Sequence, residues 1–187
     1  MKIGFALCGS YCTHGAALQQ LEKLLDRGYD VVPIVSENVY RTDTRFGSAK
    51  ALCERLQGMC QRQVIHTIVD AEPLGPKTPL DALVVCPCTG NTLAKMADGI
   101  TDTAVTMAAK AHLRSDRPLL LALASNDALS ANLKNIATML SRKHVYFVPL
   151  SQDDPEKKPH SLIADFTLLL PTLDSAMRGT QYQRLFL

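Results

Sequence analysis

The chain has 187 residues, of which 47% are hydrophobic and 20% are charged, and 20 basic against 18 acidic residues leave a net charge of +2. This length and composition predict one globular domain with a substantial core. The even charge balance argues against a nucleic-acid partner, and no apolar run is long enough for a membrane span. The apolar stretch in MKIGFALCGS is too short for a signal peptide, so we expect a first strand there and a cytoplasmic protein.

Strand and helix patterns alternate along the chain. Apolar runs predict about six strands, and apolar side chains at helical spacing predict the helices between them. In chain order we expect a strand over 2–8, a helix over 16–27, a strand over 30–36, a helix over 48–60, strands over 63–69 and 81–87, helices over 91–99 and 103–114, a strand over 117–125, a helix over 126–142 capped by Asn126 or Asp127, a strand over 144–150 and a last helix over 161–170.

This order predicts the α/β class. We expect a single-domain Rossmann- or flavodoxin-like fold over residues 1–178, with a parallel sheet covered by helices on both faces. Pro33 lies in the second strand and fits an edge or a bulge better than a central position. The tail over 179–187 is apolar at Tyr182, Leu185, Phe186 and Leu187, a pattern that can cover a partner chain, although packing on its own domain or on a sister subunit is the favoured alternative.

Four loops follow predicted strands, at 9–15, 36–47, 87–92 and 124–127. Ligands of parallel α/β sheets bind at the carboxyl ends of the strands, near the topological switch point. Small residues let backbone amides approach an anion there, although the same residue types also cap helices and make turns. The predicted cofactor-binding residues are Gly9, Ser10, Ser36, Pro87, Thr89, Gly90, Asn91, Thr92, Ser125 and Asn126.

The phosphate loops do not match the common nucleotide motifs. The first loop, GSYCTHG, lacks the G-x-G-x-x-G spacing of dinucleotide-binding proteins, and no G-K-[ST] of a Walker loop occurs. The pattern therefore favours a mononucleotide such as FMN over NAD or ATP.

Cys86 and Cys88 flank Pro87 at the end of the most apolar strand. A C-x-C pair without two further convincing ligands is a poor metal site, so we expect no metal. A redox pair remains open because a thiol near a helix N-terminus has a lowered pKa. We favour a third interpretation, in which Cys86 lies in the core and Cys88 lines a phosphate loop.

The segment PCTGNTLAKMADGITD, residues 87–102, resembles the P-A-[ST]-A-N-T-[IL]-A-K-x-A-x-G-I-A-D block of the homo-oligomeric flavin-containing cysteine decarboxylase family. Gly9, Ser10 and Ser36 also stand where that family keeps its phosphate turn and a hydroxyl. The resemblance implies the α/β fold derived above, FMN at a subunit interface and a homo-oligomer.

The resemblance leaves the catalytic residues open. The family's catalytic histidine has a possible counterpart in His66, although a histidine in a strand is more often a core residue. The family's substrate clasp, P-x-M-N-x-x-M, is represented only by Asn126 in ALASNDAL. Decarboxylation is therefore less well supported than flavin binding.

Four other stretches resemble one branch of the family: TDTRFG (42–47), AEPLGPKTPLD (71–81), SNDALSAN (125–132) and YFVPLSQDDP (146–155). That branch works with a second subunit, which uses NADP or NAD, to make an aromatic dicarboxylate in sporulating bacteria. We favour Arg45 as the residue that meets a substrate carboxylate, ahead of Lys50, Lys77, Lys110 and Arg114. The alternatives are an FMN-dependent decarboxylase and a non-catalytic scaffold subunit.

Overall fold

The computed structural model describes residues 1–187 and shows one mixed sheet between two layers of helices. The strands are β1 (Lys2–Leu7), β2 (Asp30–Val35), β3 (Ala82–Thr89), β4 (Leu119–Ser125), β5 (Val145–Phe147), β6 (Leu150–Asp154) and β7 (Lys158–Ala164). The helices are α1 (His14–Asp26), α2 (Glu37–Arg41), α3 (Ala49–Cys60), α4 (Ile68–Ala71), α5 (Gly90–Ala97), α6 (Ala104–Leu113), α7 (Leu133–Leu140) and α8 (Leu169–Ala176).

The sheet has the order β2-β1-β3-β4-β7-β6, and β5 pairs with the first half of β4. Strands β1 to β5 pair in parallel, whereas β7 runs antiparallel to both β4 and β6. The predicted α/β class and layering are confirmed, with seven strands in a mixed sheet instead of about six parallel ones. Because β1 has β2 on one side and β3 on the other, the chain reverses its winding direction here, which creates a switch point between β1 and β3.

Ion pairs join helices within one layer, and the two layers cover strands that are apolar on both sides. Helix α1 is linked to α8 by Arg27–Asp174 at 2.9 Å and to α3 by Arg55–Glu22 at 3.2 Å, so these helices share one face. Helices α4 to α7 contact one another on the other face. Strands sandwiched in this way must be hydrophobic throughout, and Val84 and Leu121 on the central strands β3 and β4 are fully buried.

Prolines occupy tolerated positions in the sheet. Pro33 lies on β2, which ends the main path of the sheet, as the sequence predicts. Pro87 lies in central β3, where the pairing register with β4 shifts between Val85 and Cys88. The irregularity accommodates a residue without an N–H, and the Pro87 carbonyl accepts a hydrogen bond from the Cys8 amide at 3.2 Å.

Three predicted elements are wrong. Residues 63–69 form no strand; only Ile65 pairs with β2, through an isolated bridge to Ile34, before α4 begins. The helix predicted over 126–142 begins at Leu133 and follows a series of turns. The helix predicted over 161–170 is instead the end of β7, and α8 begins at Leu169.

The C-terminal tail adds to its own sheet. The Leu150 amide donates to the Leu185 carbonyl at 2.8 Å, and the Leu187 amide donates to the Leu150 carbonyl at 2.9 Å. The Gln181 side chain bonds both backbone groups of Phe147, at 2.9 Å and 2.7 Å, in the way that a neighbouring strand would. The tail therefore has a structural role within the chain, and its apolar character is no longer an argument for a partner.

No helix in the structure has the length and apolar character needed to cross a membrane.

Candidate cofactor site

A polar pocket of about 280 Å³ opens at the carboxyl ends of β1, β2 and β3, at the switch point of the sheet. Three of the predicted loops meet here because their strands are neighbours. The fourth, which follows β4, does not reach the pocket. The lining residues are Gly9, Ser36, Glu37, Asn38, Thr89, Asn91, Thr92, Lys95, Asp102 and Thr103.

Two of the predicted hydroxyl residues start helices at the pocket. Ser36 caps α2 by accepting a hydrogen bond from the Val39 amide at 3.4 Å. Thr89 caps α5 by accepting from the Thr92 amide at 3.2 Å, and its hydroxyl donates to the Thr92 hydroxyl at 3.0 Å. Ser36 and Thr89 therefore both cap a helix and line the pocket, and each cap holds the first amides of its helix at the pocket wall.

Backbone amides supply the donors of the pocket. The Gly9 N–H has no hydrogen-bond partner in the protein, although its neighbours Cys8 and Ser10 both have one. The first-turn amides of α5 around Asn91 are likewise free of intrahelical partners, and the helix dipole places partial positive charge beside them. This donor set fits a phosphate group, which accepts several hydrogen bonds and carries negative charge.

The structure adds charged residues to the pocket. Lys95 on α5 forms a two-pronged ion pair with Asp102, with Nζ–Oδ distances of 2.9 and 2.8 Å, and the ammonium lowers the pKa of the Asp102 carboxyl. Glu37 pairs with Arg41 at 3.1 Å. Each of the two acidic side chains of the pocket is therefore paired with its own cation. Lys95 is not among the predicted cofactor-binding residues, although Lys95 and Asp102 lie within the family block.

Ser125 does not line the pocket but belongs to a hydrogen-bond network behind it. Its hydroxyl donates to Asp127 Oδ1 at 2.5 Å, and Asn132 Nδ2 donates to both carboxylate oxygens of Asp127 at 2.9 Å. The hydrogen bond from Ser125, followed by those from Asn132, lowers the pKa of Asp127. Gly90, the first residue of α5, lies against this network.

The close approach explains the glycine at position 90. A Cβ there would collide with the Ser125 hydroxyl, the Asn132 side-chain nitrogen and a carboxylate oxygen of Asp127. Gly90 is buried, so its role is to let the start of α5 approach the end of β4. The network thereby fixes the position of the Thr89 cap and of the amides that follow it.

Other predicted residues lie near the pocket without lining it. Ser10 accepts a hydrogen bond from the Thr13 hydroxyl at 3.2 Å and shapes the first loop. Pro87 is buried in β3 beneath the site. Asn126 is exposed and accepts from the Ser161 hydroxyl at 3.5 Å, which ties the loop after β4 to β7. Asn126 is thus a candidate for contact with a substrate, not with the phosphate.

The three cysteines near the pocket are structural. Cys8, Cys86 and Cys88 are fully buried, and burial raises the pKa of the Cys8 thiol to about 11. Burial also raises the pKa of Cys86 and Cys88 well above the ordinary value of 9.0. Neutral, inaccessible thiols are poor nucleophiles, so the redox interpretation loses its support. The interpretation that Cys88 lines a phosphate loop is wrong, because its side chain is fully buried.

His66 is half-exposed and is not a core residue. Its ring stacks on Tyr40 with a centroid separation of 3.6 Å and an interplanar angle of 8°. The pair lines a smaller cavity of about 210 Å³ that shares Glu37, Asp102 and Thr103 with the cofactor pocket. His66 therefore lies beside the cofactor pocket.

Arg45 lies outside the cofactor pocket. It is exposed in a turn closed by two hydrogen bonds between Thr44 and Gly47, at 3.0 and 3.1 Å, and its guanidinium lies 4.9 Å from the Phe46 ring centroid. The turn borders a separate cavity of about 430 Å³ between α1 and α3. Arg45 itself lines neither this cavity nor the cofactor pocket, although the cavity includes Tyr11, Cys12 and Gly15 of the first predicted loop.

The pocket lies at the β1/β3 switch point, which is where doubly wound α/β proteins bind mononucleotides. Residues 1–167 match the Flavoprotein family, and the chain belongs to that family.

Two relatives match nearly the whole of this chain, and both are B subunits of dipicolinate synthase. The chain is 44% identical over 182 residues, covering 97% of this chain and 91% of the relative, to the B subunit of dipicolinate synthase from Bacillus subtilis (strain 168). It superimposes with a TM-score of 0.91 on the crystal structure of the B subunit of dipicolinate synthase from Bacillus halodurans C, at 41% identity over 100% of this chain and 95% of that one. The FMN-dependent cysteine decarboxylase SpaF shares the fold alone, with a TM-score of 0.66 and 20% identity over 94% of this chain and 97% of that one.

Proposed function

We propose that this chain acts as the FMN-binding B subunit of a dipicolinate synthase. The observation that carries the proposal is the 44% identity to the B subunit of the Bacillus subtilis enzyme along nearly the whole of both chains. The TDTRFG and SNDALSAN stretches carry the same resemblance in the sequence. The polar pocket at the switch point supports the cofactor, because its amides and hydroxyls suit the phosphate of FMN.

Each part of the pocket has a role in holding FMN. The Gly9 amide and the first amides of α5 donate to the phosphate, while Ser36 and Thr89 hold those amides in place through their caps. Lys95 balances the charge of Asp102 so that the pocket does not repel an anion. A bound flavin would supply a two-electron relay between the ring and the nicotinamide of the second subunit.

The reaction proposed for the complete enzyme converts a dihydrodipicolinate-type precursor to dipicolinic acid during sporulation. Aromatising the dihydro ring removes two hydrogens, one as hydride and one as a proton. The hydride goes to NADP or NAD on the second subunit of the synthase, the A subunit. This chain lacks the G-x-G-x-x-G motif of dinucleotide-binding proteins. His66 beside the pocket is the candidate for moving the proton, and Asn126 is the second candidate for substrate contact.

The partners and the cellular location of the chain belong to the same proposal. We propose partners of two kinds, the A subunit of the synthase together with further copies of this chain, in a cytoplasmic enzyme. The fold shared with an FMN-dependent cysteine decarboxylase keeps a decarboxylase as the alternative function. The changed clasp sequence ALASNDAL, with Ser125 bound to Asp127, speaks against it. A scaffold role without catalysis is the third possibility.

Reconstitution tests the proposed function. Purified subunits are given the cyclic precursor with NADP or NAD, separately and together, and dipicolinate is followed by its ultraviolet absorbance. We expect rapid product formation only in the mixture, because this chain lacks a nicotinamide site.

Two results would contradict the proposal: full turnover by this chain alone, or an unchanged rate when it is added to its nicotinamide-dependent partner. Release of carbon dioxide from candidate acids by this chain alone would favour the decarboxylase. A His66→Gln variant, added to the same partner, then shows whether this chain contributes chemistry or only structure.

A further inference from the structure

A further cavity, of about 400 Å³, lies among α5, α6 and the turn after α7. It is bounded by the end of α5, the outward side of α6 and the turn after α7. The two cavities share no lining residue, although Lys95 of the cofactor pocket is followed directly in α5 by Met96 of this cavity.

Three cations line this cavity, and no acid does. Lys110 and Arg114 are one turn apart on α6, and Arg142 faces them from the turn after α7. None of the three forms an ion pair with a carboxylate, whereas Lys95 and Arg41 at the cofactor site are both paired. Three unpaired cations in one concave site repel one another unless an anion is bound between them.

Arg142 is held in place by the backbone. Its Nη2 donates to the Ala97 carbonyl, at the end of α5, at 3.0 Å. This bond satisfies a helix-terminal carbonyl and fixes the guanidinium at the cavity wall. The other guanidinium N–H groups remain available, and their planar arrangement suits a carboxylate.

The remaining wall is apolar. Met96, Ala109 and Leu113 line it, and Ile100 at its edge is 46% exposed. A cavity of this volume that combines apolar walls with a few convergent charges is typical of a site for a small organic molecule. Inorganic phosphate would leave the apolar wall unused, so the chemistry favours an anion that carries a ring.

We propose that this cavity binds an aromatic or cyclic dicarboxylate, with Arg114 and Arg142 meeting its carboxylates and Lys110 completing the charge balance. This inference rests on the proposed function: it gives the diacid a second site, apart from the flavin and His66, where the product binds without occupying the place of the reaction. Of the cations that the sequence singled out, Lys110 and Arg114 are brought together and Arg45 is not.

Titration calorimetry of the FMN-loaded chain with dipicolinate tests the proposal. Arg114→Gln and Arg142→Gln should each raise the Kd at least about tenfold, because each removes a charge-assisted contact. Arg184→Gln is the matched control, since Arg184 is likewise exposed and forms no ion pair, and should leave the Kd unchanged. Picolinate, with one carboxylate, should bind more weakly than dipicolinate to the wild type and lose less in the variants.

The flavin absorbance of every variant separates this inference from the proposed function. Unchanged dipicolinate affinity in Arg114→Gln and Arg142→Gln, with flavin retained and synthase active, would overturn the inference and leave the function standing. If only an Arg45→Gln variant loses dipicolinate affinity, the diacid binds at the loop over 42–47, and the inference is overturned. A change of oligomeric state in the α6 variants without a change in affinity would make this face a contact between copies and also overturn the inference.

Discussion

The Ser36→Asp chain should lose FMN while it keeps its fold. Ser36 caps α2 and lines the cofactor pocket, and aspartate is as good a helix cap as serine. The added carboxylate would face the phosphate across a few ångströms. Even with solvent screening, the repulsion amounts to about 2 kcal/mol, which is roughly 30-fold in Kd. Quenching of flavin fluorescence during titration of the apo chain measures the change.

Ser48→Asp is the matched control. Ser48 caps α3 in the same way, by accepting a hydrogen bond from the Ala51 amide at 3.2 Å, but it lies outside the cofactor pocket. We expect its FMN affinity and its melting temperature to equal those of the wild type. Equal FMN affinity in Ser36→Asp would refute the phosphate cradle at these strand ends. Weakened affinity in both variants would show a general effect of charge.

Replacing Gly90 by alanine should destabilise the fold by about 1–3 kcal/mol, the usual range for overpacking a buried site. The new methyl group would meet the Ser125 hydroxyl and the Asn132 amide, and both are held by Asp127 and cannot move aside independently. The start of α5 would be pushed away from β4, and FMN binding should weaken with it. Urea unfolding followed by circular dichroism measures the free energy of unfolding.

Gly58→Ala provides a control of opposite sign. Gly58 lies in α3 with open space around it, so alanine should stabilise the chain by about 0.4–1 kcal/mol through helix propensity and backbone entropy. Adding Ser125→Ala to Gly90→Ala should recover part of the loss, since it removes one of the colliding atoms. Similar shifts for Gly90→Ala and Gly58→Ala would disprove the close approach at position 90.

The layered fold and three of the four site loops followed from the sequence for a simple reason. Strands buried on both faces need continuous apolar runs, and these runs mark β1, β3 and β4 clearly. Once the strands are placed, the rule for parallel sheets puts their following loops on one edge. Gly9, Ser36 and Thr89 lie together at the pocket because β2, β1 and β3 are neighbours in the sheet.

The errors occurred where side chains compete with the local pattern. Residues 126–132 have helical spacing, but the Asp127 carbonyl accepts from the amides of Ser130 and Asn132 at 3.1 and 3.0 Å, while its carboxylate holds Ser125. Asn, Asp and Ser favour such local bonds over helix. The short apolar run at 161–164 had no periodicity to separate strand from helix, and pairing with β4 and β6 decides it.

The cation cluster could not be predicted from spacing alone. Lys110 and Arg114 are a turn apart in the sequence and suggest a solvated helix face. Arg142 joins them only because α7 packs against α5, which brings its guanidinium to the Ala97 carbonyl across 45 positions of the chain. The same holds for Asp127 and Gly90, whose contact depends on the pairing of β3 with β4.

The most direct test of the account is the identity and amount of the ligand that the purified chain binds. The visible absorption spectrum of the chain, followed by mass measurement of the released ligand, distinguishes FMN from FAD, a nicotinamide nucleotide and an empty site. The cradle at Gly9, Ser36 and Thr89 predicts FMN at one molecule per chain, either as purified or after incubation with FMN. A chain that takes up no flavin under either condition, or that releases a nicotinamide nucleotide, would contradict it.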